Sequence, residues 1–540
     1  MQTINRSRFL KTLGRVFTGI LLTPFCYKNK FKGSLPFSGS ICGEKHAIGH
    51  QFRDKNLELP SIKPEHNVYD VVIVGGGISG LVTAHKLNKT GLSNILVLEK
   101  EDVPGGLCLG KERNGIPYAC GAHYTEYPEP DNHYVNEIFK DCGIITGYED
   151  DWPIVDDKFL IKKKRDNLFI NGKWEPYDYP FSIATKKDLQ EYERFDDESL
   201  QLSKWRDSKG LPAFGLPLEN ISQHSKVRNL DKISFYEYLT KNGYTSKLLY
   251  WHCNIWSIDE YGTALEDISA WAGLQFFRHK IKPPGKKTFT ITFPQGLGYL
   301  SQKLASFLHK RIVQTKKWVL NIEEFNSRVF ITTWDETKQG FIKFQAKKAV
   351  FALPKSQVYM IIPSLKRAGR NEFDNLSYAP WLVANIHLKQ LSSYSGGSIR
   401  WENTIYDSWT LGYINNQHLM TNKPNEPHVL TLYACFPKDL KKNRTELLER
   451  GWEHWARVVL AELQKAHPKI ENLITQLDIW IWGHPMRQPL VGTVWGNKRQ
   501  QMLKPFGNIH FSHVDVCGVP VVEEAIHRGM KVAYDLIGGG

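Results

Sequence analysis

A cluster of glycines between an apolar run and an amphipathic segment constrains this chain more than any other feature. Residues 68–87 read VYDVVIVGGGISGLVTAHKL, in which Val71–Val74 predicts a buried strand and the spacing of the later apolar residues predicts a helix. Gly75 permits a tight turn, Gly77 lets the backbone approach a diphosphate, and Gly80 lets the helix pack closely on the strand. The amides at the helix N-terminus would then face the phosphates.

A carboxylate stands where the ribose of a dinucleotide would need one. A second predicted strand, Ile95–Leu98, ends in Glu99, which follows Gly75 by 24 residues. A carboxylate at this place accepts hydrogen bonds from ribose hydroxyls. A glycine turn alone is weak evidence, but the two features together predict a dinucleotide site, with Gly76 and Lys100 among the cofactor-binding residues.

The residues that follow Glu99 distinguish between nicotinamide and flavin cofactors. In EKEDVPGG, the pair Gly105 and Gly106 allows the backbone to approach a long, extended cofactor. This extension resembles the flavin-containing amine oxidase and phytoene desaturase superfamily, in which an acid and a glycine pair follow the first βαβ unit of an FAD domain. The resemblance implies FAD as the cofactor. The arginine that usually follows the pair is Leu107 in this chain, and we include this position in the cofactor site.

Further segments resemble the same superfamily, in the same order along the chain. ACGAHYTEYP, which ends at Pro128, is similar to the segment that brings backbone near the isoalloxazine ring. Residues 293–308 are similar to the turn and helix before the return strand, and KKWVLNIEEF would place the backbone of Val319 against the adenine. Residues 346–354, AKKAVFALP, are similar to the strand that crosses between domains. The resemblance covers about residues 68–540.

The C-terminal segment is predicted to complete the cofactor site. Ile509–Ser512 has the pattern of a strand, and Val522–Ile537 has apolar residues at helical spacing. The amides of Val522 and Glu523, at the start of this helix, would face the pyrimidine edge of the flavin. The positive end of the helix dipole favours the anionic reduced flavin there.

The resemblance also implies an acidic ligand for the ribityl chain of FAD. In the superfamily the last strand ends in Gly-Glu or Gly-Asp, whereas this chain has Ser512 and His513 there, with Asp515 two residues further on. Asp515 either takes the ribityl role or is an ordinary turn aspartate that caps the helix.

The predicted fold class is α/β: a Rossmann-like FAD-binding domain of the GxGxxG type, interleaved with a mixed α+β substrate domain. The substrate segments contain most of the 16 tryptophans, which build a core more often than a substrate cage. The predicted boundaries are 1–27 for an export leader or N-terminal extension, 28–66 for a linker, 67–149, 290–359 and 496–540 for the FAD-binding domain, and 150–289 and 360–495 for the substrate domain.

The implied flavin predicts the type of reaction. We expect an FAD-dependent oxidoreductase that moves a hydride equivalent from an amine or an isoprenoid-like C–C substrate to flavin N5. Amine oxidases of the superfamily place a lysine near N5, and the comparable strand, Ala379–Leu388, has none at its centre. His123, His484 and His513 are candidate acids or bases, or else structural histidines. The alternatives are a flavin-dependent isomerase or mutase, and a catalytically silent binding protein of the same fold.

Composition restricts the partners. The chain has 70 Lys and Arg against 56 Asp and Glu, a net charge of +14, and we interpret the basic runs as solvated surface. No RNP-like pattern, zinc finger or basic helix is present to read bases, so we expect no nucleic acid. The eight cysteines contain no CxxC pair, and no metal is predicted. The expected partner is a small molecule, amine or lipid-like.

The N-terminus predicts export or association with a membrane surface. Arg6 and Arg8 precede Leu13–Phe25, which is too short and too interrupted to span a bilayer. This stretch resembles a twin-arginine export leader, although Ser7 separates the two arginines. The segment that begins at Asp259, DEYGTALEDISAWAGLQFF, resembles bacterial FAD-dependent proteins of the superfamily that carry such leaders. A cytoplasmic protein is the alternative.

Overall fold

Two large sheets organise the chain in the computed structural model. One sheet is mainly parallel and the other mainly antiparallel. The predicted leader, residues 1–27, lies outside the described residues. The structure describes residues 33–43, 45–54, 59–161, 166–278, 290–390, 400–417 and 426–538.

Strands are found throughout the described ranges and are numbered in chain order. They are β1 Ile41–Gly43, β2 Val68–Val74, β3 Ile95–Leu98, β4 Gly110–Arg113, β5 Ile116–Ala119, β6 Tyr124–Glu126, β7 Ile145–Glu149, β8 Trp152–Val155, β9 Asp166–Ile170, β10 Lys173–Glu175, β11 Thr290–Thr292, β12 Val313–Gln314, β13 Lys317–Phe325, β14 Arg328–Asp335, β15 Gly340–Phe351, β16 Tyr378–Leu388, β17 Glu402–Ile405, β18 Gly412–Asn415, β19 His428–Cys435, β20 Ile474–Arg487 and β21 Ile509–Phe511.

The helices surround the two sheets. In chain order they are α1 His46–Asp54, α2 Ile78–Lys89, α3 His133–Asp141, α4 Lys186–Lys204, α5 Ser225–Arg228, α6 Phe235–Lys241, α7 Lys247–Tyr261, α8 Ala270–Phe277, α9 Gly298–Ser306, α10 Val358–Ile361, α11 Ser364–Arg367, α12 Leu440–Glu449, α13 Trp452–Ala466, α14 Asn497–Met502 and α15 Val522–Gly538.

The parallel sheet has the strand order β12-β3-β2-β15-β14-β13, and β21 pairs with the C-terminal half of β15. β12, β3, β2, β15 and β21 run in the same direction. Val71–Val74 is almost completely buried because helices and loops cover both faces of the sheet. Val74, Phe351 and Phe511 lie in one row across β2, β15 and β21, so the carboxyl ends of these strands meet at one edge.

Two helices pack together on one face of this sheet. α2 begins directly after the glycine turn, and its apolar residues, among them Leu81, are fully buried. α15 crosses α2 at Gly529, whose carbonyl accepts a hydrogen bond from Thr83 Oγ1 at 3.1 Å. Ser79 Oγ also donates to the carbonyl of Ala525 on α15, at 2.9 Å. The glycine therefore permits the close crossing that joins the first and last helices of the domain.

The antiparallel sheet has the order β1-β20-β16-β19-β18-β17-β9-β10. All eleven residues of β16 are buried, because each face of the sheet packs against a different layer. One face packs on α13 through residues such as Leu432 and Trp455. The other face carries Trp480, Trp482 and Tyr433 and packs against residues that follow β5. This second face lies between the two sheets.

Helices α4 to α8 form a separate layer with its own core around Trp271. The sequence specifies where two of them begin. Thr185 and Asp188 form a capping box at the start of α4, and Ser234 and Glu237 form another at the start of α6. Each box satisfies backbone amides that have no partner inside the helix.

The stretch 28–66, predicted as a linker, contains regular structure in its described part. β1 pairs in parallel with β20, and the Ser40 hydroxyl and amide both lie 3.1 Å from Asp478 Oδ1. α1 follows. The linker interpretation was therefore wrong for residues 41–43 and 46–54, because a three-residue edge strand has too little periodicity to be recognised but is stabilised by its pairing with β20.

Two absences apply to the described ranges only. Among those residues, no helix combines the length and apolar character needed to cross a membrane. Within the same ranges, no three His, Cys, Asp or Glu side chains are grouped in a way that would hold a metal ion.

We expect Gly529→Val to destabilise the fold. A Cβ at Gly529 would lie 2.7 Å from the carbonyl oxygen of Ser79 and 2.9 Å from Val82 Cγ1, so the two helices would have to separate. Overpacking of this kind costs about 1–3 kcal/mol, which thermal unfolding would report as a lower Tm. Gly340→Val is the control, because a Cβ there has no neighbour closer than 3.8 Å. Equal Tm values for the two variants would contradict the assigned crossing.

Candidate functional site

The glycine turn after β2 is so closely packed that side chains are excluded from two of its positions. Gly75 has a φ of +110°, and a Cβ there would lie 2.8 Å from the carbonyl oxygen of Ala352. A Cβ at Gly80 would lie 2.0 Å from the carbonyl oxygen of Gly75. Glycine is required at Gly75 for the turn and at Gly80 for the contact between helix and strand.

Gly77 differs because the space beside it is open. It is the N-cap residue of α2, and a Cβ there would meet no atom within 4 Å. Gly105 forms a backbone bridge with Gly77 and donates its amide to the carbonyl of Gly76 at 2.9 Å. Gly106, with a φ of +58°, approaches Gly77 from the same side. The open space, the glycine walls and the helix amides fit the diphosphate of a dinucleotide.

Glu99 is buried beside this turn and is held by backbone amides. Its Oε2 accepts from the Gly76 amide at 2.8 Å, and its Oε1 accepts from the Glu101 amide at 2.9 Å. Burial raises the pKa of Glu99, and the two hydrogen bonds act against that rise. Lys100 pairs with Glu101 and lies over the ring of Trp318, 5.5 Å from its centroid. The carboxylate is therefore fixed at the end of β3, and its contact with a ribose stays a prediction.

Leu107 and Val319 occupy different parts of the same domain. The carbonyl of Leu107 accepts from the Ala122 amide at 3.0 Å, and its side chain packs against the cluster between the sheets. Val319 is partly buried in β13 opposite Thr333, and a β-bulge follows it. Contacts of both residues with a cofactor stay predictions.

Residues 119–121, the last residue of β5 and the two that follow it, are bound to the antiparallel sheet by side chains of that sheet. The amide of Asn385 donates to the carbonyl of Ala119 at 2.9 Å. Trp482 Nε1 donates to the carbonyl of Cys120 at 3.0 Å, and the Tyr433 hydroxyl donates to the carbonyl of Gly121 at 2.9 Å. This stretch, which the resemblance places near an isoalloxazine ring, is therefore held rigidly between the sheets.

Four aromatic side chains lie together next to this stretch, and we call them the aromatic chamber. They are His123, Tyr124, Trp401 and Tyr433. The imidazole centroid of His123 lies 5.1 Å from the ring of Tyr124, 5.5 Å from that of Trp401 and 4.7 Å from that of Tyr433. Of the three predicted histidines, His123 is the one that this arrangement brings beside residues 119–121. A small cavity next to it is lined by His123, Thr292, Phe293, Gly296, Trp401, Ile414 and Asn416.

A buried charged group lies behind the chamber, at the start of α15. The carboxylate of Glu523 accepts from the Thr125 hydroxyl and from the Glu126 amide. Arg278 binds Glu126 at 2.6 Å and also binds Glu129. Burial raises the pKa of Glu126 to about 8, and nearby carboxylates act in the same direction against Arg278. The Glu523 side chain therefore binds β6 through Oε1, and the contact of its backbone amide with a flavin stays a prediction.

Asp515 is completely buried and is held by groups of the protein. Its Oδ2 accepts from the amide of Lys355 at 2.8 Å and from the hydroxyl of Tyr378 at 2.6 Å, and its side chain has no exposed surface. Burial alone would raise the pKa of Asp515, but His513 and these hydrogen bonds hold it well below its ordinary value. Both hydrogen bonds of Oδ2 go to protein groups, and the ribityl role of Asp515 stays a prediction.

The other two predicted histidines lie apart from His123. His484 is exposed on β20, with its ring 5.8 Å from that of Tyr378, so the structure does not bring it into the chamber. His513 directly follows β21 and Ser512, at the carboxyl edge of the parallel sheet. Its Nδ1 accepts from the Asp515 amide at 3.2 Å.

Sequence reasoning missed two buried charged residues of this region, Lys355 and Arg278. Lys355 follows β15, and its Nζ donates to the carbonyls of Phe351 at 3.2 Å and Leu353 at 2.9 Å. Burial lowers the pKa of Lys355 to about 7. Arg278 ends an apolar helix, where a basic residue is ordinary. No local pattern distinguishes either side chain from a solvated one, since their partners come from distant segments.

Comparison with known proteins supports the same assignment. A family model described as an NAD(P)-binding Rossmann-like domain matches residues 73–142. Oxidoreductase PigB of Serratia sp. (strain ATCC 39006) is 24% identical over 521 residues, which cover 87% of this chain and 75% of PigB. Phytoene desaturase (neurosporene-forming) of Cereibacter sphaeroides is 25% identical over 32% of this chain and 36% of its own length.

A solved putrescine oxidase with putrescine bound has the same fold. It is 19% identical, with a TM-score of 0.63 over 87% of this chain and 99% of its own. The chain belongs to the flavin-containing amine oxidase and phytoene desaturase superfamily. The predicted α/β fold class is confirmed, and so is the prediction of an oxidoreductase.

We expect Lys355→Met to change how stability depends on pH. With a folded pKa of about 7 against an ordinary 10.5, Lys355 is neutral in the folded protein and charged in the unfolded chain between these values. Raising the pH from 7 to 10 should therefore stabilise the parent by on the order of a few kcal/mol more than the variant. Urea unfolding at several pH values measures this difference.

The exposed Lys310→Met serves as the control for this measurement. It should follow the parent at every pH. Parallel pH curves for the parent and Lys355→Met would show that the buried amine keeps its ordinary proton affinity.

Proposed function

We propose that the protein is an FAD-dependent oxidoreductase that takes a hydride equivalent from an amine or an isoprenoid-like C–C substrate. The observation that carries the proposal is the open space beside Gly77, at the N-terminus of α2 and against the glycine pair 105–106. Superfamily membership supports the same cofactor class.

The path from this turn to the chamber supports FAD rather than a nicotinamide cofactor. Gly105 and Gly106 continue the glycine wall from Gly77, and the chain then leads through Leu107 to the residues bound to the antiparallel sheet. A cofactor that begins at Glu99 and reaches residues 119–121 must be extended, as FAD is. The residues that would hold it are the glycine turn, Glu99 and the backbone at the start of α15.

When bound, FAD would supply the hydride acceptor of the reaction. The protein's own part is to position the substrate, exclude water and hold protons. In the aromatic chamber, the buried rings of Trp401 and Tyr433 would offer apolar surface to a carbon skeleton. His123 lies among these rings and is the side chain best placed to accept or hold a proton. β16 has no lysine in its sequence, so the usual lysine of amine oxidation has no counterpart there.

We also propose export or association with a membrane surface, and the support for this comes only from the sequence of residues 1–27. The apolar stretch 13–25 has the length of a leader core and lacks the length of a membrane span. N-terminal sequencing of the mature protein from the native host would test this directly. An intact N-terminus on protein confined to the cytoplasm would contradict it.

We expect Gly77→Val to yield folded protein without flavin. The new side chain would occupy the space of the diphosphate, yet it meets no protein atom within 4 Å of its Cβ, so the apoprotein should keep its Tm within a few degrees. The flavin absorbance of purified protein and the nucleotide released on boiling measure the outcome. Gly340→Val should retain the parental FAD content. A full FAD complement in Gly77→Val would contradict the assignment.

We expect a substrate of the proposed class to bleach the flavin anaerobically, one flavin per substrate oxidised. A panel of amines and carotenoids would be followed by absorbance. His123→Asn should keep its FAD and lower the reduction rate by about 100-fold, because removal of a positioned acid or base has effects of this size.

The exposed His484→Asn is the matched control and should reduce at the parental rate. Turnover of a panel substrate without bleaching would favour the isomerase alternative. An unchanged reduction rate in His123→Asn would remove His123 from the mechanism.

A further inference from the structure

Three parallel strands end side by side at the edge where the cofactor would lie. Val74, Phe351 and Phe511 share one row, so the residues that follow them line the same edge. Neighbouring strands are about 4.8 Å apart, which places Phe511 about 10 Å from Val74 across this edge. In doubly wound folds, ligands lie across the carboxyl ends of the strands. His513 is therefore positioned beside the path from the glycine turn to the aromatic chamber.

The backbone at His513 is held against the helix that begins at the glycine turn. Ser512 donates its amide to the carbonyl of Phe351 at 3.0 Å, and its hydroxyl lies 3.2 Å from Thr83 Oγ1 on α2. Ser512 and Thr83 are both fully buried. The position of His513 relative to α2 is thus fixed by the fold rather than by a loop.

The imidazole is fixed on one side only. Nδ1 accepts from the Asp515 amide at 3.2 Å, and in that state the ring proton is on Nε2. Nδ1 also lies 3.3 Å from Asp515 Oδ1. With Nδ1 as the acceptor, Nε2–H is the donor that remains on the ring. The ring keeps 17% of its surface exposed, whereas Asp515 keeps none.

Asp515 is itself immobilised, which makes it a support for the ring. Its Oδ2 accepts from the Lys355 amide and the Tyr378 hydroxyl, and Arg487 donates to its carbonyl oxygen at 2.6 Å. Tyr378 and Arg487 lie at the ends of β16 and β20. The carboxylate therefore orients His513 from behind and leaves the opposite side of the ring for a ligand.

We propose that His513 binds the cofactor, with Nε2–H donating a hydrogen bond to the linker between the two halves of FAD. The linker consists of the diphosphate and the adjoining ribityl chain, both of which offer oxygen acceptors. This inference rests on the proposed function, because it assumes that FAD occupies the edge. It gives His513 the task that an acidic residue performs elsewhere in the superfamily, and it makes Asp515 a positioning residue.

Titration of apoprotein with FAD, followed by quenching of flavin fluorescence, tests the proposal. His513→Asn removes the donor at the Nε2 position and should weaken FAD binding by about tenfold to 100-fold, since the lost bond goes to a polar or charged acceptor. His513→Gln returns an amide N–H close to that position and should restore affinity to within a few-fold of the parent.

His309→Asn is the matched control. His309 is exposed, and its Nδ1 accepts from the Arg311 amide at 3.2 Å, the same local geometry as at His513. This variant should bind FAD like the parent. Unfolding of each apoprotein is measured in parallel, and His513→Asn should keep the parental Tm within a few degrees.

Titration with ADP locates the contact. A loss of affinity for FAD alone assigns the hydrogen bond to the flavin-side phosphate or the ribityl chain, and an equal loss for ADP assigns it to the phosphates of the ADP half. Parental FAD affinity in His513→Asn would overturn the inference, as would equal losses in the Asn and Gln variants with a lowered Tm. A parent that takes up no FAD would instead overturn the proposed function.

Discussion

The contact between Gly80 and the carbonyl of Gly75 is the constraint on which the rest of the site depends. No side chain fits between the two residues, so the first turn of α2 lies directly against the end of β2. This contact orients the free backbone amides of the helix toward the open space beside Gly77, and no side chain is needed for it.

Among the described residues, polar contacts at the site connect the antiparallel sheet to residues 119–121 and to Asp515, which follows β21. Asn385, Trp482 and Tyr433 bind the carbonyls of residues 119–121, and Asp515 accepts from Tyr378. Buried polar groups are costly unless each finds a partner, so these bonds fix the sheets in one relative position. The antiparallel sheet thus fixes residues 119–121, for which contact with the cofactor is proposed, and also contributes to the aromatic chamber.

Local sequence patterns predicted the glycine turn and the acid after β3. They did not predict where side chains point when their partners come from distant segments. The turn after β2 and the acid after β3 belong to one βαβ unit, in which spacing along the chain determines position in space. Asp515 was recognised as a conspicuous acid, but its direction depends on Tyr378, which another sheet supplies. Lys355 gave no signal because burial of an amine depends on surroundings that no local sequence contains.

The hydrogen bond between the hydroxyls of Thr83 and Ser512 joins residues that are 429 positions apart. The edge of the parallel sheet therefore stays incomplete during synthesis until the last strand and helix have left the ribosome. Contacts of such separation close late and slowly, and partly formed sheets with unpaired edges aggregate readily. Pairing of β21 and packing of α15 therefore complete the domain, and the segments before them have to remain unaggregated until then.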